Sequence, residues 1–427
     1  MTSPSPFLAR WGVSLATLAA LSLVFSLRAM APSLYLWMAS FPDEILRPHP
    51  FGDVAAILQA GQCWGKGIDV YVPNPCMGGG VFNYSPFMLR LFWLLHLSPG
   101  LTLACGVLFC VAYCLALGIF PPARSWAELG LRFIVAASPS AWFALEQANF
   151  DVFLFVASSV SVWVLTRSWP IRMSGYGLIL FGFLLKFYPA ALLPLAARES
   201  RGRFVLVTAI SLLVMASFYF SFHHTVTSST ILPGISPPFR NTFGATNLPS
   251  GLMMLNDLFR GNVNLAVGGH FNLPMPSAML MHALILCVVL LALLRRQDAE
   301  KQLPHLPTTE MLYLLAGALV MAVCFFATQN VSYRAIYLYF LLPGLWRLCP
   351  LGGNAKSVLA ALLVVSWEAA LRVASGAIDH RLHTGITFTV MFWLLRELLW
   401  WWLVLQFLRL IFAFVIPNLM RSVRGQD

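Results

Sequence analysis

The sequence predicts an all-α integral membrane protein that crosses the bilayer about ten times and forms one domain over residues 1–427. Hydrophobic residues make up 59% of the chain and charged residues 10%, which is more apolar surface than one soluble core can bury. The apolar residues lie in stretches close to the roughly 20 residues that a helix needs to span hydrocarbon. The basic residues fall mainly on one side of these stretches, as expected of cytoplasmic loops.

Ten apolar stretches are the predicted crossings. Only a helix satisfies every backbone N–H and C=O within one such segment, so each stretch is expected to be helical. The stretches cover residues 11–38, 101–120, 131–146, 150–166, 204–222, 276–294, 309–327, 331–347, 356–374 and 386–408.

Two further apolar segments are predicted not to cross, which adds one or two hairpins that enter and leave on the same side. Residues 86–97 are too short to span. Residues 174–197 carry Lys186 and Pro189 near their centre, where a charge is costly and proline removes a backbone hydrogen bond. A broken helix or a hairpin is the expected result, and the sequence leaves open whether either segment crosses.

The distribution of basic residues predicts the orientation. If neither of these segments crosses, sixteen Lys and Arg residues lie in cytoplasmic loops and eight on the opposite side, with both termini cytoplasmic. This bias explains the net charge of +11 without a nucleic-acid partner. Arg10, the apolar run after it and Ala29-Met30-Ala31 also resemble a signal peptide, but the length of the run favours an uncleaved first helix.

Two long loops lie on the outer face in this topology, residues 39–100 and residues 223–275. In the first, Asp53 stands directly before an apolar pattern with helical spacing, which predicts a helix lying along the bilayer surface. Taken alone, Asp53 is typical of a helix N-cap. The apolar positions of the pattern are Val54, Ile57, Leu58 and Trp64.

The eight cysteines fall into two groups. Six lie in or beside apolar stretches, where cysteine acts as a small apolar residue. Cys63 and Cys76 lie instead in the first outer loop, in a compartment that permits disulfides. A bridge between them would add about 3 kcal/mol in the chain-entropy model, and the sequence leaves the pairing open.

Six short motifs follow one another from the first helix to about residue 345. They are Asp53 after the first helix, Gly67-Ile68-Asp69-Val70-Tyr71, Asn83-Tyr84-Ser85-Pro86, Glu146-Gln147-Ala148-Asn149, Lys186-Phe187-Tyr188-Pro189 and Asn330-x-x-Tyr333-Arg334. Taken in this order, they resemble the integral-membrane glycosyltransferases of superfamily C, and in particular the polyprenol-phosphate-mannose-dependent mannosyltransferases. The order and spacing of the motifs are more specific than any one of them. Glu146 departs from the family, which has glycine there.

The resemblance implies transfer of a sugar from a polyprenyl-phosphate donor to an acceptor hydroxyl, with inversion and without a metal or other cofactor. Asp53 matches the family's general base. Arg334 is the first choice for the donor phosphate, since a guanidinium binds phosphate oxygens bidentately, although an arginine at this depth is also typical of a headgroup anchor. The other candidate substrate-binding residues are Gln147, Asn149, Tyr84, Tyr333, His223, His224 and Lys186.

Several of these residues also have interpretations other than the roles that the resemblance implies. Gln147 and Asn149 could simply end a helix. Lys186 could direct its charge towards the membrane surface or form a structural salt bridge. Glu146 and Asp151 form a second candidate carboxylate site. The turn with Asp379, His380 and His383 matches no strong zinc signature, so no metal is expected.

The predicted partners are a polyprenyl-phosphate sugar, with mannose the sugar that the resemblance suggests, a glycan or lipid acceptor, and membrane lipids. We expect a bacterial inner membrane, with the active site facing the periplasm or exterior. The alternative functions are a transporter or flippase of lipid-linked sugars and a non-catalytic scaffold. Most acidic residues near the spans lie at the outer ends rather than at the midplane, Glu368 being the exception, which favours an enzyme over an ion-coupled transporter.

Overall fold

Helices form nearly all of the described chain, which in this computed structural model comprises residues 3–39, 50–228, 239, 241–259, 275–327 and 329–424. Two strands of two residues, β1 (Thr242–Phe243) and β2 (Asn330–Val331), pair antiparallel. The predicted all-α class is therefore confirmed, and long apolar helices mark the chain as an integral membrane protein.

The helices follow one another with short connections. In the first half they are α1 (Pro6–Met30), α2 (Pro32–Ala39), α3 (Gly52–Gly65), α4 (Pro86–Leu94), α5 (Thr102–Leu117), α6 (Trp126–Ala136), α7 (Pro139–Glu146), α8 (Phe150–Leu165) and α9 (Trp169–Leu185). In the second half they are α10 (Arg201–Ser228), α11 (Asn247–Phe259), α12 (Met275–Leu294), α13 (Gln297–Gln302), α14 (Thr308–Ala327), α15 (Leu342–Leu348), α16 (Ala355–Ser366), α17 (Glu368–Leu382) and α18 (Thr387–Arg424). The 3₁₀ helices are Pro75–Met77, Pro99–Leu101, Tyr188–Arg198, Leu303–His305, Ser332–Leu341 and Cys349–Leu351.

Six helices of the described chain are long and apolar enough to cross a membrane, or up to eight if each of two bent pairs counts as one span. The bent pairs are α7 with α8, at 111°, and α16 with α17, at 67°. The six helices are Pro6–Met30, Pro99–Leu117, Arg201–His223, Met275–Leu294, Thr308–Ala327 and Thr387–Arg421.

The other four predicted crossings are short or interrupted helices. Residues 131–146 are divided by Pro139, which cannot donate a backbone hydrogen bond to the preceding turn. Residues 150–166 form the 16-residue α8, residues 331–347 form a 3₁₀ helix followed by α15, and residues 356–374 bend at Trp367. Ten crossings therefore remain a prediction.

The two segments that were predicted not to cross are both unusual. α4 has nine residues, too few to span. α9 ends at Leu185, Lys186 is extended, and the chain continues as the 3₁₀ helix Tyr188–Arg198 with Pro189 at its start. The predicted break at Lys186 is confirmed.

α14 lies at the centre of the molecule. It is buried along most of its length and packs against α8, α18 and the 3₁₀ helices Tyr188–Arg198 and Ser332–Leu341. Because those two 3₁₀ helices share one neighbour, the residues near their first turns, including Lys186 and Arg334, come close together although they are distant in sequence.

Candidate functional site

Helix α3 places Asp53 in its first turn. Phe51 rather than Asp53 is the N-cap, without a side-chain capping bond, so the N-cap interpretation of Asp53 is wrong. The Asp53 carboxylate instead accepts a hydrogen bond from Asn149 Nδ2 at 2.7 Å. The predicted apolar face of this helix is confirmed, because Val54, Ile57 and Leu58 are buried.

The start of α3 is held against the end of α7 by backbone hydrogen bonds. The Phe51 N–H donates to the Glu146 carbonyl oxygen at 2.7 Å, and the Asp53 N–H to that of Gln147 at 3.1 Å. The Phe51 ring fills the space beside Gly106 in α5, where an added Cβ would lie 2.2 Å from the ring. The position of Asp53 therefore depends on this close contact.

Two non-glycine residues beside Asp53 have left-handed backbones. Phe51 has φ 66° and Ala148, in the turn between α7 and α8, has φ 44°. Such conformations cost free energy and persist where the surrounding structure enforces them, which is common at functional sites. Their location beside one carboxylate supports this region as the candidate site.

Asn149 joins Asp53 to Asp151. It is buried, begins α8 as its N-cap, and accepts a hydrogen bond at Oδ1 from the Asp151 N–H at 2.9 Å. Its Nδ2 is used for Asp53. The two interpretations of this residue, as helix terminus and as site residue, are therefore compatible.

Gln147 and Glu146 lie beside this chain of contacts. Gln147 is the C-cap of α7, and its Nε2 donates to the Glu146 carboxylate. The same carboxylate accepts from the Tyr35 hydroxyl at 3.2 Å. Glu146 thus joins α2 and α7 in the described chain.

Asp151 is the residue around which two cations gather. Its side chain is 0% exposed, with Lys186 Nζ 2.5 Å from Oδ1 and Arg334 Nε 2.9 Å from Oδ2. The cations keep 14% and 15% of their side-chain surface exposed. One carboxylate and two partly exposed cations leave a formal charge of +1 at this group of residues. Below, the Asp151 centre means Asp151, Lys186 and Arg334.

Tyrosines surround the Asp151 centre. Lys186 Nζ lies 4.9 Å from the ring centroid of Tyr84 and 6.0 Å from that of Tyr333, and the Arg334 guanidinium lies 5.1 Å from that of Tyr188. Cations at these distances are attracted to aromatic faces. Burial, reinforced by Tyr333 and Asp53, holds the pKa of Tyr84 well above its usual value, so its hydroxyl stays protonated at neutral pH.

A disulfide and a hydrogen bond cross-link the first loop internally, and a second hydrogen bond joins it to the chain before Lys186. Cys63 and Cys76, whose pairing the sequence left open, form a disulfide. The Tyr71 hydroxyl donates to the Tyr84 carbonyl oxygen at 3.2 Å, and Ser85 Oγ donates to the Leu184 carbonyl oxygen at 2.5 Å. The loop is therefore joined directly to the break before Lys186.

The structure brings together six of the nine candidate residues, namely Asp53, Asn149, Lys186, Arg334, Tyr84 and Tyr333, with Gln147 adjacent. His223 lies near the end of α10 with an exposed side chain, its Nδ1 3.4 Å from the Phe220 carbonyl oxygen. The side chain of His224 lies outside the described residues. Among the described residues, no group of three or more His, Cys, Asp and Glu side chains could hold a metal.

The sequence indicates Asp151 only as part of a second candidate carboxylate site and does not predict its position between two cations. A carboxylate in the first turn of an apolar helix is costly unless a cation neutralises it, and this was the signal that could have identified it. Comparisons with protein-family models, with curated proteins and with solved structures found no match for this chain.

Proposed function

We propose that this chain is a membrane glycosyltransferase that moves a sugar from a polyprenyl phosphate to a hydroxyl of a glycan or lipid acceptor, with inversion. The observation that carries the proposal is the connection of a carboxylate to a centre with two cations. Asp53 is joined to the Asp151 centre through Asn149, which donates to the Asp53 carboxylate and accepts from the Asp151 backbone N–H. A base and a phosphate-binding group are thus held at a fixed separation.

Asp53 acts as the general base. Its carboxylate removes the proton of the acceptor hydroxyl while the acceptor oxygen bonds to the anomeric carbon, and the bond from that carbon to the phosphate oxygen breaks. Such base assistance is typically worth about 10²–10⁴-fold in rate. The Asn149 amide, which donates to Asp53 Oδ2 at 2.7 Å, fixes the orientation of the carboxylate.

Lys186 and Arg334 stabilise the leaving polyprenyl phosphate. Arg334 uses Nε for Asp151, which leaves the donors on its two terminal nitrogens for phosphate oxygens. Fixed cations directed at developing charge lower the barrier because they need no reorganisation during the reaction. Asp151 positions both cations and does not itself contact the substrate.

The topology proposed with this function has ten crossings, both termini in the cytoplasm and the active site on the outer face of a bacterial inner membrane. Its support is the sixteen-to-eight distribution of Lys and Arg over the two sides. Mannose is the proposed sugar, on the resemblance of the motifs.

The test is sugar transfer by purified protein in nanodiscs, with a panel of radiolabelled polyprenyl-phosphate sugars and a membrane extract as acceptor. We expect transfer by the wild type, a loss of about 10²–10⁴-fold in Asp53→Asn, and normal transfer in Asp298→Asn. Asp298 is the control carboxylate because its side chain is 72% exposed and it pairs with Arg409 rather than with a residue of the Asp151 centre.

Two results would overturn the proposal. One is full transfer by a folded Asp53→Asn protein, which would remove the base. The other is no transfer from any donor while a control enzyme is active in the same nanodiscs. If that protein also moved lipid-linked sugars across vesicle membranes, a transporter would be the better conclusion.

A further inference from the structure

A pocket lies beside the first loop, between the last turn of α3 and the first half of α4. Its volume is about 350 Å³, within the roughly 300–1,000 Å³ of small-ligand sites. Trp64 from α3, Asp69 and Tyr71 from the loop, Arg90 from α4 and Phe222 from α10 line it.

The lining combines aromatic faces with planar polar groups. The Arg90 guanidinium lies 4.7 Å from the Phe222 ring centroid. Asp69 Oδ1 accepts a hydrogen bond from the Tyr71 N–H at 2.9 Å, which fixes the carboxylate and leaves Oδ2 for a ligand. Aromatic faces pack against the C–H face of a sugar ring, and carboxylate and guanidinium groups pair with neighbouring hydroxyls.

The charge of this pocket differs from that of the Asp151 centre. Asp69 and Arg90 are its charged lining residues, so their formal charges cancel. The Asp151 centre instead has an excess of one cation. Asp69 would repel a phosphate that Arg90 attracts, whereas a neutral sugar uses both groups as hydrogen-bonding partners.

Two observations relate this pocket to the site of the proposed reaction. Asp53 and Trp64 lie eleven residues apart on α3, a separation of about 16 Å along the helix. The Tyr71 hydroxyl donates to the Tyr84 carbonyl oxygen, and the Tyr84 ring lies against Lys186. The pocket is thus more than one sugar ring away from Asp53 but belongs to the same rigid loop.

We infer that this pocket binds a neutral sugar unit of the acceptor. This unit is several sugar units away from the one whose hydroxyl reacts. The acceptor is then an oligosaccharide rather than a bare lipid alcohol. The place of the pocket in the reaction rests on the proposed function, whereas sugar binding does not.

Binding is tested by saturation-transfer NMR on the full chain in nanodiscs, with linear neutral trisaccharides of mannose, glucose and galactose as probes. We expect one or more to bind the wild type, Arg90→Ala to weaken binding by about tenfold, and millimolar inorganic phosphate not to compete. Arg167→Ala is the matched control, since its guanidinium also covers an aromatic ring, Trp163, at 4.4 Å.

The inference is overturned if none of the trisaccharides binds, if Arg90→Ala binds as well as Arg167→Ala, or if phosphate displaces the sugar. Asp69→Asn is the second variant. It keeps an oxygen that can accept from the Tyr71 N–H, so it should fold normally and still bind more weakly.

Kinetics separate this inference from the proposed function. If transfer occurs, Arg90→Ala should raise the acceptor KM about tenfold and leave the donor KM unchanged. An unchanged acceptor KM would overturn the proposed acceptor subsite but not the proposed glycosyltransferase activity. If trisaccharide binding depends on Arg90 but no donor supports transfer, the proposed glycosyltransferase activity is wrong and the proposed sugar-binding pocket is supported.

Discussion

Two clusters of buried charges differ in composition and in access. The Asp151 centre has one carboxylate and two cations, which keep 14% and 15% of their side-chain surface exposed. The second cluster has Glu368, Arg396 and Glu397, so one cation lies between two carboxylates. All three of its side chains are 2% exposed or less.

The second cluster joins helices and has no access for a ligand. Arg396 Nη2 lies 2.5 Å from Glu397 Oε1, and Arg396 Nε lies 3.9 Å from Glu368 Oε2. Trp400 Nε1 donates to Glu368 and Asn247 Nδ2 donates to Glu397, both at 3.5 Å. Its partners come from α11, α17 and α18, so the cluster holds these helices together.

Burial of charged groups does not by itself identify a reaction site. Both clusters are expensive to desolvate, but only the Asp151 centre has cations in excess, partial exposure and a connection to a further carboxylate. The predictions below test whether this difference separates function from stability.

The largest effect is expected for Asp151→Asn. Removing the carboxylate releases both cations from their common anchor, and we expect transfer to fall by about 10²–10³-fold. Unfolding should also become easier by about 3–5 kcal/mol, because two buried cations lose their partner. Transfer rate and melting temperature in nanodiscs measure the two effects. Wild-type transfer by the variant would contradict the role of Asp151 as a positioning residue.

Arg396→Met should affect stability alone. It leaves two carboxylates without their cation, and a loss of about 3–5 kcal/mol is expected, while the folded fraction keeps its transfer rate within about twofold. The triple variant Glu368→Leu, Arg396→Met, Glu397→Leu removes the whole cluster and should recover much of the stability. A specific loss of kcat in either protein would show that the second cluster also serves the reaction.

Removal of the disulfide should loosen the first loop and leave the helices of the second cluster unchanged. Cys63→Ser with Cys76→Ser frees the link between α3 and the Pro75–Met77 turn, which costs about 3 kcal/mol in the chain-entropy model. We expect proteolysis within residues 50–100 to be faster than in the wild type. Amide hydrogen exchange in α17 and α18 should be unchanged. Equal loss of protection in both regions would show that they unfold together.

The smallest effect is expected at Tyr84. Tyr84→Leu removes the aromatic face against Lys186, an interaction worth about 0.5–2 kcal/mol, so the donor KM should rise by about two- to thirtyfold. Tyr84→Phe keeps the face and should stay close to wild type. If Tyr84→Phe raises the donor KM as much as Tyr84→Leu does, the hydroxyl rather than the ring is the important group.

Local patterns predicted the elements that carry the site. The apolar spacing after Asp53 indicated α3, and the charge and proline at Lys186 and Pro189 indicated the break after α9, because both signals lie within a few neighbouring residues. Apolarity alone could not predict that residues 331–347 form a 3₁₀ helix and a short α-helix. That outcome depends on packing against α14.

Long-range pairing was the part that the sequence could not provide. Asp151 bonds to Lys186 and Arg334 across 35 and 183 residues, and no local pattern specifies such partners. The same holds for Cys63 and Cys76, since a disulfide requires a distance between Cα atoms that only the fold determines.

Gly106 shows how far the requirements of the site extend into the molecule. It has no group that could take part in chemistry, yet a single methyl group there would push the Phe51 ring and, through the backbone, Asp53. A screen for inactivating alleles should therefore recover Gly106→Ala alongside changes at charged positions. Second-site suppressors should shorten Phe51, for example to leucine, which restores the lost space.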